Sequence, residues 1–309
     1  MKSVWMWCRV ALCAVVVAFF ASAARAAEAR VIVLAEMDKA PQAETVVALN
    51  AELQRNGVGL EVLAPASANH AALAGASLIV TVGGQAAQTT VALETASPVL
   101  HVLLSRSSLD ALGHRPGSAP WSAIVLDQPA ERQIALIRLA LPAHERIATI
   151  AGPETRALAR ALAAAATRSG LDARSAEAAD IPALYPALRS VLEQPAVLVI
   201  TPDGQVFNSQ TVHHVLLTAF RLHAPVLGFS AAYVRAGAVV GLYTTPAQVG
   251  TEAAAVVRQV LAGNALPPPG HHALFEVGVN PTVARALGLA LPPADALTRA
   301  LRAQEALAP

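Results

Sequence analysis

The sequence predicts an α/β protein built from two doubly wound, Rossmann-like lobes. Short runs of buried-type residues, for example 30–35, 78–82 and 196–201, alternate with longer stretches of helical periodicity. This alternation is typical of parallel βαβ units. The chain has 309 residues, which is too long for one average domain and suits two.

The N-terminal segment has the features of a secretory signal peptide. Lys2 precedes an apolar run over residues 10–24, and residues 24–26 (ARA) place small side chains where a signal peptidase reads them. The run is shorter than the roughly 20 residues of a membrane-spanning helix, which disfavours an uncleaved anchor. A bulky residue before Cys13 disfavours a lipid anchor. We therefore expect a signal peptide over residues 1–26 and export to the periplasm.

Composition excludes several classes of protein. Both cysteines, Cys8 and Cys13, lie in the predicted signal peptide, so the chain after it can form no disulfide and no thiolate nucleophile. Loss of the signal peptide would also leave fewer basic than acidic residues, and so no basic surface for nucleic acid.

Motifs for catalysis, nucleotides and metals are absent from the sequence. No GxSxG, GxGxxG or Walker pattern occurs, and no serine is placed with recognisable His and Asp partners. The paired histidines at 213–214 and 271–272 lack an HxxxH partner or an acidic cluster. The sequence therefore predicts a protein that is not an enzyme, with no cofactor, no metal and no nucleic-acid partner.

Several segments resemble one family in their order and spacing. These are residues 224–230 (APVLGFS), 243–246 (YTTP), 275–280 (FEVGVN), 78–80 with Gly83, and the passage over 133–147. The chain is similar there to ABC transporter substrate-binding proteins with the type I periplasmic binding fold, the group that includes bacterial tryptophan and tyrosine binding proteins. The resemblance spans nearly the whole chain after the predicted signal peptide.

The resemblance implies a periplasmic solute-binding component of an ABC-type importer. Such a protein binds a small polar solute in the cleft between its lobes by hinge closure, and delivers it to an inner-membrane permease. We expect a monomer. The alternative is a periplasmic sensor or adaptor of the same fold that presents a solute to a signalling partner. At residues 151–154 the chain has AGPE where relatives often carry an aromatic residue and an amide, which leaves the ligand open.

The resemblance also implies that three chain crossings join the lobes. We expect the crossings near Leu126, Tyr243 and Gly270. The first lobe is then predicted to comprise residues 27–126 plus 244–268. The second lobe is predicted to comprise residues 127–243 plus the tail, 271–309.

Candidate ligand contacts in the first lobe follow predicted strands, because crevices form at the carboxyl ends of parallel strands. Gly83, Gly84, Gln85 and Ala86 join a strand to a helix, so their N–H groups are candidates for an anionic group of the ligand. A tight βα turn is the alternative interpretation. Ser105 ends another strand and offers a hydroxyl.

Candidate contacts in the second lobe face them. Gly152 and Glu154 belong to one loop after a strand, and Asp203 follows another, where a carboxylate could hold a ligand amine. We expect replacement of Asp203 to weaken binding and barely to change the melting of the empty protein. Ser230 ends a further strand, and Tyr233 is the nearest aromatic side chain. Both could instead cap or pack beneath the next helix.

Overall fold

The structure is a computed structural model that describes residues 29–115 and 117–307. The predicted signal peptide lies outside the described residues. Two six-stranded sheets flanked by helices make up the described chain, which confirms the predicted α/β class. Within the described ranges, no helix combines the length and the apolar character needed to cross a bilayer.

The first sheet is built mainly from the N-terminal part of the chain. Its strands are β1 (Val31–Leu34), β2 (Leu60–Leu63), β3 (Leu78–Val82), β4 (Val99–Leu104), β5 (Trp121–Val125) and the late strand β11 (Gly270–His271). They are all parallel, in the order β11-β5-β4-β3-β1-β2. The helices on this side are α1 (Ala40–Gln54), α2 (His70–Leu73), α3 (Gly84–Ala92), α4 (Arg106–Asp110) and α10 (Pro246–Leu261).

The second sheet has the order β12-β10-β9-β8-β6-β7. Its strands are β6 (Arg146–Ala151), β7 (Asp172–Glu177), β8 (Val197–Val199), β9 (Val226–Gly228), β10 (Val240–Tyr243) and β12 (Glu276–Val279), of which β12 runs antiparallel to its neighbour. The helices here are α5 (Ala130–Ala140), α6 (Arg156–Arg168), α7 (Ile181–Val191), α8 (Val212–Arg221), α9 (Ala231–Ala236), α11 (Pro281–Ala286) and α12 (Ala294–Leu307).

Burial along the strands explains the order within each sheet. The strands β1 (VIVL) and β3 (LIVTV) are buried at every position, as expected for central parallel strands covered by helices on both faces. By contrast, β7 has the mostly polar sequence DARSAE and lies at the edge, where one side faces no partner strand. The apolar side chains form separate clusters on the two faces of each sheet.

The third crossing differs from the predicted division of the chain. The sequence analysis places residue 271 at the start of the second lobe. In the structure His271 pairs with Val125 and Gly270 with Ile124, so both residues belong to the first sheet. The signal was missed because a strand of two residues carries no periodicity.

The crossing of α10 over α1 leaves no room for a side chain at Gly250. A Cβ at this position would lie 2.3 Å from Thr45 O and 2.7 Å from Leu49 N, and both of these atoms are backbone. The two helices can approach this closely only with glycine at the contact.

We therefore expect Gly250→Ala to lower the free energy of unfolding by about 1–3 kcal/mol, because the helices must separate to admit the methyl group. Urea denaturation measures this change. Gly59→Ala is the matched control, since a Cβ at Gly59 meets no atom within 4 Å. Equal stability of the two variants would show that the helix contact tolerates expansion.

Candidate functional site

The carboxyl ends of strands from both sheets border one cavity of about 370 Å³. From the first sheet it is lined by residues at or after the ends of β1, β4 and β5, and from the second by residues at or after the ends of β6, β8, β9 and β10. The lining includes Pro41, Leu103, Ser105, Leu126, Asp127, Gln128, Gln133, Leu158, Ile200, Pro202, Phe229, Ser230, Tyr243 and Thr244. The wall is mainly apolar, and its volume suits a small ligand.

Asp127 supplies the one carboxylate among the described residues that line this cavity. Its Oδ2 accepts a hydrogen bond from Arg106 N at 2.6 Å. Burial raises the pKa of Asp127, and the hydrogen bond from Arg106 opposes that effect in part. No lysine or arginine belongs to the described lining. A cationic group of a ligand would therefore meet the carboxylate of Asp127 and no like charge from the lining.

Three chain crossings meet at the base of the cavity and are joined by hydrogen bonds. Gln128, on the first crossing, donates from Nε2 to Thr244 Oγ1 at 3.0 Å. Thr244, on the second, donates to Leu274 O on the third at 2.8 Å. The crossings therefore share one polar network rather than passing the cavity independently.

Arg132 extends this network into the second sheet. Its Nη1 donates to Gln128 Oε1 at 2.8 Å and to His272 O at 2.9 Å. The guanidinium also pairs with Glu305 at 2.5 Å and lies 4.3 Å from the centre of the Phe275 ring. The Arg132 side chain is only 7% exposed, so these contacts replace water around a buried charge.

Leu103 reaches the cavity through an irregularity in β4. The pairing of β4 with β5 shifts register between Val102 and Leu104, and Leu103 has a φ of 58°. A non-glycine residue in this left-handed region costs free energy and is kept there by its surroundings. The bulge places Leu103 in the cavity wall, where regular alternation would not have been expected to put it.

Residues 64–299, more than half of the chain, match the family described as ABC transporter substrate binding protein. The chain belongs to this family. A search of curated proteins finds no match to it.

Solved structures show that this substrate-binding protein has the type I periplasmic binding fold. A ligand-free, open substrate-binding protein with adhesive properties from Clostridium difficile has a TM-score of 0.68 at 16% identity, covering 85% of this chain and 96% of that one. A conserved domain protein from Vibrio cholerae has a TM-score of 0.61 at 20% identity, with coverage of 88% and 98%. The ABC domain from Streptococcus pneumoniae in complex with L-tryptophan has a TM-score of 0.60 at 15% identity, with coverage of 87% and 97%.

Ser105 and Ser230 are the two predicted contacts that line the cavity of this substrate-binding protein. Each also caps a short helix. Ser105 Oγ accepts from Ser108 N at 3.1 Å, and Ser230 Oγ accepts from Tyr233 N at 3.3 Å. Ser230 therefore keeps a hydroxyl proton that it can donate, whereas Ser105 Oγ also lies 2.9 Å from Ser107 Oγ and from Ser108 Oγ.

The predicted turn over Gly83, Gly84, Gln85 and Ala86 lies outside the described lining. Gly83 has a φ of 91°, and a Cβ on it would lie 2.8 Å from the buried Gln42 amide nitrogen. Ala86 is buried. The turn therefore packs closely against α1.

A carboxylate of the chain itself already contacts this turn. With its amide nitrogen turned toward Glu36, Gln85 donates to Glu36 Oε1 at 2.8 Å. Lys39 Nζ donates to Glu36 Oε2 at 2.8 Å, and this bond lowers the pKa of Glu36. A second anion here would meet the negative charge of Glu36.

Asp203, Gly152 and Glu154 meet one another within the second sheet's loops and do not line the described cavity. Asp203 is fully buried, and its Oδ2 accepts from Glu154 N at 3.0 Å and from Thr155 Oγ1 at 3.2 Å. Its Oδ1 accepts from Gln205 N at 3.1 Å. A Cβ on Gly152 would overlap this carboxylate, which explains the glycine. The carboxylate thus joins two loops.

Tyr233 packs beneath the cavity rather than lining it. Tyr233 is 7% exposed, and its ring centre lies 4.7 Å from that of Phe229. Phe229 and Tyr243 are the aromatic residues of the described cavity wall. Burial raises the pKa of Tyr233 to about 12. Of the two interpretations that the sequence left open, packing describes Tyr233.

Asp203→Ala should lower the free energy of unfolding by roughly 2–3 kcal/mol, because three donors lose a buried acceptor. This expectation replaces the small change in melting expected from sequence. Chemical denaturation of the ligand-free protein measures it. Asp110→Ala, at the exposed end of α4, is the control and should change stability little. A melting curve of Asp203→Ala that overlays the parent's would contradict the conclusion that the Asp203 carboxylate joins the two loops.

Proposed function

We propose that this substrate-binding protein is the periplasmic component of an ABC-type importer and closes on a small solute between its two lobes. The single observation that carries the proposal is the cavity of about 370 Å³ whose walls come from both sheets and whose base is formed by the crossings. Because its walls come from both lobes, this cavity changes shape when the lobes rotate, and ligand binding is coupled to lobe closure.

The lining also favours one class of solute. Asp127 contributes a negative charge, Ser105 and Ser230 contribute hydroxyls, and the remaining wall is largely apolar. Gln128 and Gln133 both use their amide nitrogens within the protein. The solute that fits is an organic cation with an apolar body, held by Asp127 at its charged end. Phe229 would contact the apolar part.

We expect organic cations to raise the melting temperature, and their carboxylate analogues to leave it unchanged. Phenethylamine and 3-phenylpropionate are a suitable first pair, because they share an apolar body and carry opposite charges. Ligands that bind only the folded protein stabilise it, and the stabilisation grows with the ratio of ligand concentration to Kd. A thermal-shift screen of such pairs measures the preference, and stabilisation by the anions alone would refute the assignment of Asp127.

The affinity for such a cation should fall on acidification. The pKa of Asp127 is raised, so this carboxylate gains a proton at a higher pH than an ordinary aspartate, whose pKa is about 3.9. Asp127→Asn should bind the cation at least about tenfold more weakly at neutral pH, and without this acid dependence. Calorimetry from pH 7 downward measures both effects. Asp110→Asn is the control, and equal affinity of Asp127→Asn and the parent would contradict the contact.

Closure itself should be visible in solution. We expect X-ray scattering to give a smaller radius of gyration when a solute identified by the screen is at saturation, because rotation about the crossings brings the lobes together. The protein mixed with 3-phenylpropionate, which is expected not to bind, is the control. An unchanged radius with a calorimetrically confirmed ligand would exclude hinge closure as the mechanism.

A further inference from the structure

A second cavity, of about 760 Å³, lies against the first sheet and shares no lining residue with the cavity at the strand ends. Its walls include the end of α3, strands β4 and β5, and residues 112–115 and 117–119. Its volume is within the range of small-molecule sites, about 300–1,000 Å³. The proposed importer function makes no use of it.

His101 brings an unsatisfied polar atom to this cavity. It stands in the middle of the apolar strand β4 (VLHVLL), has no exposed surface, and lines the cavity. Its Nδ1 lies 2.7 Å from the buried Thr81 Oγ1. Its Nε2 is buried and has no hydrogen-bond partner among the described residues. Natural proteins rarely leave such a group unpaired.

The Thr81 contact favours one tautomer of His101. Among the described residues, Thr81 Oγ1 has no acceptor for its hydroxyl proton other than His101 Nδ1. The hydroxyl therefore donates to Nδ1, and in the neutral ring the proton is then on Nε2. Burial lowers the pKa of His101 to about 3, so the ring is neutral at physiological pH. His101 thus carries an uncharged N–H donor next to the cavity, and this donor is covered in the ligand-free protein.

His114 and Trp121 form an aromatic wall beside this donor. Their rings are stacked, with centres 3.9 Å apart and an angle of 9° between planes, and the His114 ring centre lies 5.1 Å from that of His101. Val91 and Val99 add apolar surface. The charged lining residues Arg115 and Glu94 pair with each other, so the cavity offers no net charge for an ionic ligand.

We infer that this cavity is a second binding site, for a small uncharged ring compound whose hydrogen-bond acceptor receives the Nε2–H of His101. A carbonyl oxygen or a ring nitrogen is the acceptor type that suits this donor. A metal ion has less support, because the described residues contain no group of three His, Cys, Asp or Glu side chains that could hold one.

Quinoline and naphthalene test this assignment directly. They have the same fused-ring shape, and only quinoline carries an acceptor nitrogen. Long-range ¹H–¹⁵N spectra of the histidine side chains should show saturable movement of the His101 Nε2 signal with quinoline. Naphthalene should bind at least about tenfold more weakly, because it would leave the buried donor unpaired.

Two variants separate this site from non-specific uptake. His101→Leu should remove the preference for quinoline over naphthalene, while His213→Gln, an exposed histidine on α8, should retain it. Equal affinity of the parent protein for the two probes would overturn the inference. Quinoline binding that leaves the His101 signal unmoved would overturn it as well. A shift of the His101 and His114 signals by Zn²⁺ alone, without any effect of quinoline, would assign the cavity to a metal instead. If His101→Leu does not fold, the two probes on the parent protein still decide.

Discussion

The buried charge of Arg132 is the constraint on which the region between the two sheets depends. A buried cation without partners costs several kcal/mol, so its contacts with Gln128, the His272 carbonyl and Glu305 must be kept together. These partners lie on the first crossing, the third crossing and the last helix. Because Gln128 also holds Thr244, the second crossing is tied to the same charge. Any rotation about the crossings must preserve these bonds or exchange them in concert.

Much of the fold could be predicted because its signals are local. Strand β3 was predicted with the ends that the structure shows, since five buried apolar or β-branched residues precede a glycine turn. Helix α10 also begins with a local signal, because Thr245 and Gln248 form a capping box at its start. The edge strand β7 carries a weaker local signal, because its polar sequence has little periodicity and its pairing with β6 defines it.

The site was harder to predict because side-chain direction depends on neighbouring loops. Ser105 and Ser230 reach the wall simply because they end strands. Asp203 also follows a strand, but the loop from Gly152 to Thr155 comes close enough to take its carboxylate, and no local pattern reveals that approach. Asp127 directly follows β5 at a predicted crossing, so the available signal was its position. Leu103 depends on a bulge for which the sequence has no marker.

The route of the chain has a consequence for how the protein is made. The first sheet needs α10, seated against α1 at Gly250, and the edge strand β11, while the second sheet needs β12 and α12. All of these come from the C-terminal quarter of the sequence. Synthesis from the N-terminus therefore completes the apolar cluster on one face of each sheet before the cluster on the other face has its last members. A chain that ends before Gly270 lacks a strand of each sheet.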